Sequence, residues 1–198
     1  MKPLKSSQIK LEKSQLLDIN DPYRKVMHWF FAHPTREASL NEIVKQVKIS
    51  KTTANRVISR LKKEEFLNIK TLGKIWRISC NQEHEFNTTK KIPYNLELIA
   101  DSGIVKKILE VIPNSRSIIL FGSYRKGDDI ETSDLDIAVE TLNNKEIEII
   151  NLGTIPELGY KKNVKVNILK FSRTKIDLNL FSNLANGIVL YGFFEARP

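Results

Sequence analysis

The chain is poor in the residues that build disulfide and zinc frameworks. Cys80 is the only cysteine among 198 residues, so no intramolecular disulfide can form, and a lone thiol at a strand end predicts a structural role. The three histidines, His28, His33 and His84, lack the spacing of a zinc cluster, and we expect each to be structural or solvent-facing. The composition therefore excludes disulfide-stapled and zinc-stabilised folds.

Long apolar runs and a P-loop are missing as well. No stretch approaches the roughly 20 apolar residues that a membrane-spanning helix needs. The first residues contain lysine but not the apolar core of a signal peptide. The segment from Gly122 to Lys126 lacks the later Gly-Lys-Ser/Thr element of a P-loop. We therefore expect a cytoplasmic protein without P-loop chemistry.

Acidic residues are scarce in only one half of the chain. The formal net charge is +9, from 32 Lys+Arg and 23 Asp+Glu. Residues 1–100 carry 19 basic and 10 acidic side chains, whereas residues 101–198 carry 13 of each. Because 198 residues also exceed a typical domain of about 150, we predict two domains, at 1–92 and 93–198. The charge predicts a polyanionic partner for the first domain alone.

A candidate phosphate-binding turn lies in the second half. The apolar run Ser117–Phe121 predicts a short buried strand, so Gly122-Ser123 stands where a strand passes into a helix. Helix N-termini offer unpaired N–H groups to anions, and glycine lets the backbone approach a phosphate closely. The Ser123 hydroxyl could donate a further hydrogen bond, while Arg125 and Lys126 could offset the phosphate charge.

Two carboxylates follow on the next predicted strand, which spans 133–139. Side chains alternate across a strand, so Asp134 and Asp136 share one face while Leu135 and its apolar neighbours point to the core. Two carboxylates spaced in this way can hold the same hard cation, and Mg²⁺ is the cation that normally accompanies substrate phosphates. The pattern therefore favours nucleotide chemistry over an ordinary polar edge strand.

The run Leu120-Phe121-Gly122-Ser123, followed by Ser133-Asp134-Leu135-Asp136-Ile137, resembles the signature of the DNA polymerase β nucleotidyltransferase superfamily. The pattern is most similar to the minimal nucleotidyltransferases of archaea and bacteria, and the predicted helix and short strand of the tail resemble the family's usual ending. In that family a third carboxylate on a later strand usually completes the metal site. Alignment on the predicted strand 163–171 puts Asn167 at that position, and no acidic residue lies between Lys161 and Lys175.

The resemblance implies a transferase that uses Mg²⁺ or Mn²⁺ and an NTP, in the first place ATP. Asp134 and Asp136 would be the catalytic residues and, with Asn167, the metal ligands; Gly122, Ser123, Arg125 and Lys126 would bind the nucleotide. Minimal nucleotidyltransferases often pair with a HEPN-type toxin and act as its antitoxin, which makes such a protein an expected partner. Because an amide supplies no charge and cannot act as a general base, the alternative is a regulator whose inactive fold senses nucleotides or binds proteins.

The first half has the pattern of three helices. Asp21 and Pro22 mark the start of the first, whose apolar residues recur with helical spacing until Pro34 ends it. Ser39 and Glu42 form a capping box at the start of the second. In the third helix, Ala54, Val57, Ile58 and Leu61 are predicted to turn inward, and polar and basic residues outward.

Two further strands, at 66–72 and 75–79, predict a hairpin joined at Gly73-Lys74. The order of helices and hairpin resembles the winged helix-turn-helix domains of archaeal and bacterial regulators, in which the third helix enters the major groove of double-stranded DNA. The alternative is a solvated basic face on a protein-binding domain, and many winged helices dimerise, so a homodimer is a second possible partner. The resemblance implies these DNA-binding residues: Lys51, Thr52, Asn55, Arg56, Arg60, Lys74 and Arg77.

Between the two domains, residues 80–93 predict an exposed connector because they are polar. The following segment, 94–111, predicts one broken helix or two short ones, interrupted near 101–103. The fold class expected is therefore α+β: an N-terminal winged helix-turn-helix domain, then a nucleotidyltransferase-fold α/β domain with a mixed sheet.

Overall fold

The computed structural model describes residues 9–10, 21–73, 75–142 and 146–195, and within them the chain folds as a mixed α+β protein. Lys74, one of the predicted DNA-binding residues, lies outside these ranges. The helices of the first half are α1 (Pro22–Ala32), α2 (Leu40–Val47) and α3 (Lys51–Lys63). A two-residue strand, β1 (Ile9–Lys10), precedes them, and the antiparallel hairpin of β2 (Leu67–Leu72) and β3 (Ile75–Cys80) follows.

Short polar side chains start each of these three helices. Asp21 accepts a hydrogen bond from the Tyr23 N–H, and Pro22 occupies the first helical position, as predicted. Ser39 caps α2 and Ser50 caps α3. The hairpin is joined to the helices by backbone bonds in both directions between Ala38 and Ile78, each 2.9 Å long. The helices and the hairpin therefore share one framework.

The segment after the hairpin is folded, so the expectation of an exposed connector was wrong. It forms the short helix α4 (Phe86–Thr89), and Cys80 and Asn87 are buried. The Asn87 amide donates to three backbone carbonyls, those of Asn81, Gln82 and His84, and these bonds satisfy a polar segment away from water. Two helices follow, α5 (Lys91–Asp101) and α6 (Ile104–Val111), with the predicted break between them.

The second half is built on a sheet of mixed direction. Among the described residues it has six strands, in the order β1-β6-β7-β5-β4-β8. The pairs β5–β7 and β1–β6 are parallel, and the other neighbours are antiparallel. The new strands are β4 (Ser115–Leu120), β5 (Leu135–Thr141), β6 (Glu148–Leu158), β7 (Lys161–Phe171) and β8 (Ile188–Gly192). The helices are α7 (Gly122–Lys126) and α8 (Leu178–Ala185), and a single 3-10 turn spans Arg173–Lys175.

The two faces of the sheet are covered to different extents. One face packs into the main core, which includes Leu135, Ile137 and Val139 and continues into the three-helix part. A small second cluster, which includes Leu184 of α8 and Ala138 of β5, covers part of the other face. Because this cover lies over the later part of β5, the first residues of that strand remain accessible on the second face.

The two halves of the chain meet along α1. This helix is buried from Val26 to Ala32, where α2 and α3 of the first half and α5 pack against it. On the α5 side the rings of His28 and Tyr94 stack with centroids 4.0 Å apart. The predicted domain boundary at 92/93 falls inside α5. No helix among the described residues has both the length and the apolar character to cross a membrane.

Candidate functional site

Three polar side chains meet at the accessible end of β5. Asp134 immediately precedes the strand, Asp136 is its second residue, and the parallel pairing of β5 with β7 sets Asn167 directly beside Asp136. The Asn167 Nδ2 donates to Asp134 Oδ2 at 3.2 Å and to Asp136 Oδ1 at 3.3 Å. We call these three residues the Asp136 cluster. Its geometry follows from strand register, because one residue of slip would turn Asn167 to the opposite face.

The Gly122 turn adjoins this cluster. The Phe121 N–H donates to the Asp136 carbonyl at 3.2 Å, so β4 delivers the turn directly to the start of β5. Gly122 has φ of +72°, and a Cβ there would lie 2.8 Å from Asp136 Oδ2. Only glycine fits, because a side chain would be strained in this conformation and would displace the carboxylate. The glycine predicted to approach a phosphate is thus also the residue that makes room for Asp136.

The Asp136 cluster has a deficit of positive charge. Burial raises the pKa of Asp136, the neighbouring Asp134 carboxylate raises it further, and the hydrogen bond from Asn167 lowers it in part. None of the ion pairs in the described part of the chain involves Asp134 or Asp136. The carboxylates of Asp134 and Asp136 are therefore half-buried and close together, and the group that bridges them is the neutral amide of Asn167.

The donor set fits one hard cation. Carboxylate oxygens are the ligands that Mg²⁺ prefers, and its remaining positions are ordinarily filled by water and substrate phosphate. The Asn167 side chain presents a neutral amide, whose oxygen or nitrogen can face the carboxylates after rotation. Among the described residues, no group of three or more His, Cys, Asp or Glu side chains is placed to share a metal ion. The residues thus supply two charged ligands and one weak neutral ligand.

The other predicted nucleotide-binding residues lie on α7, beside the cluster. Ser123 and Arg125 are half-buried and Lys126 is exposed. Within the described ranges no ion pair engages Arg125 or Lys126, so both charges are open to an anion. The structure therefore gathers the turn, its basic residues and the two aspartates at one end of the sheet. Their roles in binding stay predictions.

Sequence reasoning missed a second polar cluster, in the segment that joins α7 to β5. Asp129 is fully buried; Lys91 lies 3.3 Å from its Oδ1, and Lys161 lies 2.5 Å from its Oδ2. The Asn95 Nδ2 donates to Asp129 Oδ1 at 2.8 Å. We call these four residues the Asp129 cluster. The sequence did indicate this burial, because Lys91, Asn95 and Leu98 recur with helical spacing and therefore lie on one face of α5, the buried one.

The outward face of α3 is exposed as predicted. Its residues Lys51, Thr52, Asn55 and Arg56 are all open to solvent, as is Arg77 of the hairpin. The guanidinium of Arg60 is exposed but engaged, because its Nε donates to Glu64 at 2.9 Å and it lies over the Tyr23 ring. Arg60 is therefore less available to a partner than its position alone indicated.

Cys80 and the three histidines lie in surroundings that are typical of structural residues. Burial raises the pKa of the Cys80 thiol to about 12, so it stays protonated and unreactive at neutral pH. Burial lowers the pKa of His28 to about 4, and it also lowers that of His33, which bonds the Trp29 carbonyl. The His84 Nε2 lies 2.8 Å from the Glu64 carbonyl oxygen.

Residues 104–193 match the family model described as polymerase beta, nucleotidyltransferase. The match covers the strands and helices that form the Asp136 cluster and the Gly122 turn, and it leaves the three-helix part unmatched. It supports the nucleotidyltransferase superfamily for this part of the chain, and with it a nucleotidyl transfer function in general terms. Proteins with this fold typically use divalent metal ions. No curated protein matches the chain well enough to extend the comparison.

Proposed function

We propose that the second half of the chain binds a Mg-nucleotide, in the first place Mg-ATP, and transfers its nucleotidyl group to an acceptor. The observation that carries this proposal is the close approach of Asp134 and Asp136, beside a glycine turn and without a cationic partner. Two carboxylates held together without a cation are costly unless a ligand supplies the positive charge.

Each residue has a defined part in this proposal. Asp134 and Asp136 hold the cation, and the backbone and hydroxyl of Gly122-Ser123 hold the triphosphate. Arg125 and Lys126 offset the phosphate charge from the helix that follows. Bound Mg²⁺ would supply charge stabilisation for in-line displacement of pyrophosphate at the α-phosphate. The partner implied by the resemblance is a HEPN-type toxin, for which the chain would serve as antitoxin, and the identity of the acceptor stays open.

We propose that the first half binds double-stranded DNA in the manner of a winged helix. The exposed polar and basic face of α3 and the basic hairpin support this, as does the location of the whole net charge in residues 1–100. Arg, Asn and Thr can read base edges, and Lys and Arg bind phosphate. A protein that binds DNA and carries a nucleotidyltransferase fold would suit the control of its own operon.

One observation favours a second candidate function, a regulator that binds nucleotides without catalysis. Asn167 occupies the place beside Asp136 where the resemblance implies a third carboxylate, and its amide already bridges both aspartates. A site with two charged ligands can bind one cation together with a nucleotide. It lacks the general base and the full set of ligands for a second metal ion that nucleotidyl transfer ordinarily uses.

The test is transfer of label from α-phosphate-labelled NTPs into host lysate, with Mg²⁺ or Mn²⁺. The proteins are wild type, Asp136→Asn and Asn167→Asp. Asn151→Asp is the matched control, because Asn151 is the exposed cross-strand neighbour of Asn167 on β6 and receives the same new charge one strand away. Label from wild type that is lost in Asp136→Asn would establish the enzyme, and the labelled species would identify the acceptor.

Transfer by Asn167→Asp alone, with Asn151→Asp and wild type inactive, would establish the second candidate. Transfer that survives Asp136→Asn would contradict both. For the DNA half, Arg77→Ala should lower the salt dependence of duplex binding by about 0.9 in log–log slope, since one phosphate contact is lost. Unchanged affinity and slope would remove the hairpin from the DNA interface.

A further inference from the structure

We propose that the tip of the β2–β3 hairpin is an apolar wedge that enters the minor groove of duplex DNA and unstacks a base step. By the hairpin tip we mean Leu72 and Ile75. This inference rests on the proposed DNA binding and adds to it a mode of contact, a deformation of the duplex and a preference for flexible base steps.

The hairpin tip exposes two large aliphatic side chains. Leu72 is 63% exposed and Ile75 is 58% exposed, and the two are direct cross-strand partners at the end of the ladder. Gly73 between them has φ of +59°, a conformation that suits a tight hairpin turn. Two large aliphatic side chains therefore stand side by side on the last cross-strand pair of a narrow two-stranded ribbon.

The hairpin is firmly mounted. The next cross-strand pair after the tip is Thr71 and Trp76, and the Trp76 ring packs against the main core. Further down, Ile78 is fully buried and bonded in both directions to Ala38. Side chains that separate stacked nucleobases need a rigid support. These contacts hold the hairpin against the helices.

The charges around the tip select an anionic partner. Lys70 and Arg77 are directly opposite each other across the hairpin, and both are exposed. Like charges in that arrangement are destabilising unless an anion lies between or beside them. A protein partner for an apolar tip would not require this pair. A phosphate backbone on either side of the tip would relieve the repulsion while the aliphatic groups contact bases.

The tip and the outward face of α3 belong to one surface. Ile75 and Trp76 line a cavity of about 180 Å³ together with Lys51 and Asn55 of α3. A partner that lies against this part of α3 is therefore next to Ile75 as well. The minor groove next to a major groove occupied by a helix satisfies this geometry, and it is where apolar side chains insert between base steps and kink the duplex.

The deformation gives a sequence preference. Pyrimidine–purine steps such as TA are the easiest to unstack, and narrow A·T-rich minor grooves attract Lys and Arg. We therefore expect tighter binding to a duplex with a TA step at the wedge position than to a G·C-rich duplex of equal length.

The experiment measures the end-to-end distance of short duplexes by energy transfer, and 2-aminopurine fluorescence at a TA step, in complexes with the full chain. The proteins are wild type, Leu72→Ala/Ile75→Ala, Leu72→Met/Ile75→Met and Lys70→Ala. Met retains apolar bulk on a flexible side chain, so it separates apolar insertion from a general change at the hairpin. Thermal unfolding of each variant confirms that these exposed substitutions leave the fold intact.

Wild type should shorten the duplex and raise the 2-aminopurine signal, and the Met variant should do the same. The Ala double variant should bind straight DNA about tenfold more weakly, with an unchanged salt slope, because it loses apolar contact and no phosphate contact. Lys70→Ala should lower the salt slope by about 0.9 and still bend the DNA.

Straight DNA in the wild-type complex, or equal bending by the Ala double variant, would overturn the wedge and leave DNA binding intact. The wedge would also be overturned if the Ala double variant converted a wild-type dimer to a monomer in the absence of DNA. That result would make the tip a contact between copies. Absence of duplex binding by wild type would contradict the wedge and the proposed DNA binding together.

Discussion

Two asparagine–carboxylate clusters are built around Asp129 and Asp136, which are seven residues apart on the chain, and they differ in the charge that faces the acid. In the Asp129 cluster, Asn95 donates to the carboxylate, and two buried lysines supply positive charge. In the Asp136 cluster, Asn167 donates in the same way, but the neighbour is a second carboxylate. The Asp129 carboxylate has cationic partners within the protein, whereas the Asp136 cluster gains a positive charge only from a ligand.

The difference indicates which carboxylate stabilises the fold and which one is kept for a ligand. A buried acid that serves the fold alone is expected to be paired, since an unpaired buried charge costs several kcal/mol. Asp136 is half-buried, and its pKa is raised by burial and by a neighbouring like charge. A carboxylate perturbed in this way is a candidate for function. The substitutions below test this contrast, from the largest expected effect to the smallest.

The largest effect is expected for Asp129→Asn. The change leaves the ammonium groups of Lys91 and Lys161 buried beside a neutral amide, and both are at most 5% exposed. Removal of one partner from a buried ion pair typically destabilises a protein by about 3 to 5 kcal/mol. Urea unfolding at neutral pH measures the loss. A loss below about 1 kcal/mol, the range of exposed ion pairs, would mean that the Asp129 cluster is solvated.

His28 is a buried titratable group that forms no ion pair within the described part of the chain, and it should make stability depend on pH. Its pKa falls from 6.5 to about 4 on folding, chiefly through burial. The contribution is complete above pH 6.5 and is lost as the pH falls from 6.5 towards 4, because only the unfolded chain binds the proton there. The full shift corresponds to about 3 kcal/mol.

His28→Phe is the matched variant, because it retains a ring to stack on Tyr94 and cannot titrate. Unfolding free energies of both proteins at several pH values between 7 and 4 should diverge as the pH falls, with wild type losing more. Parallel curves would show that His28 is already solvated and protonatable in the folded protein.

Thr35→Val tests a smaller contact between the two halves. The Thr35 N–H and hydroxyl both donate to the Glu131 carboxylate, at 3.1 and 2.8 Å, and Glu131 lies in the segment between Asp129 and Asp134. Valine retains the shape and removes the hydroxyl donor, so a loss of about 1 kcal/mol is expected for one exposed hydrogen bond. Thr53→Val, on α3, is a control for removal of a partly exposed hydroxyl elsewhere. Equal losses would assign no special role to the contact between the halves.

The smallest effect on stability is expected for Asp136→Asn. The variant removes one of two repelling carboxylates, so the free energy of unfolding at neutral pH, without added metal, should stay equal or rise slightly. The contrast with Asp129→Asn is the informative quantity, because both variants make the same chemical change. A loss at Asp136 as large as that at Asp129 would assign the Asp136 cluster to the fold.

Much of this architecture was predictable from local patterns. The strands at Asp136 and Asn167 alternate apolar and polar residues over part of their length, and their predicted bounds lie within two residues of the observed ones. The first two helices were predictable because Asp21 and Ser39 cap them, and the third because its apolar residues recur with helical spacing. The approach of Asn167 to Asp136 followed from the resemblance, since pairing of distant strands cannot be read from either strand alone.

The polar contacts between distant segments were not predictable in this way. Lys91 lies beside a polar run that is typical of an exposed connector, and its partner Asp129 is 38 residues away. Burial of a lysine depends on a carboxylate that only the tertiary fold supplies, so local hydropathy predicted the opposite. The strand β6 was missed as well, since its exposed first residues and the bulge near Asn151 and Gly153 blur the alternation.

The most direct test of the central claim is calorimetry of ATP uptake with and without Mg²⁺. The proteins are wild type, Asp134→Asn, Asp136→Asn and, as the control one strand away, Asn151→Asp. We predict Mg²⁺-dependent uptake by wild type and by Asn151→Asp, with none by either aspartate variant. Uptake that is independent of Mg²⁺ and survives both aspartate substitutions, or no uptake by wild type, would contradict the account of Asp134 and Asp136 as the cation-holding pair of a nucleotide site.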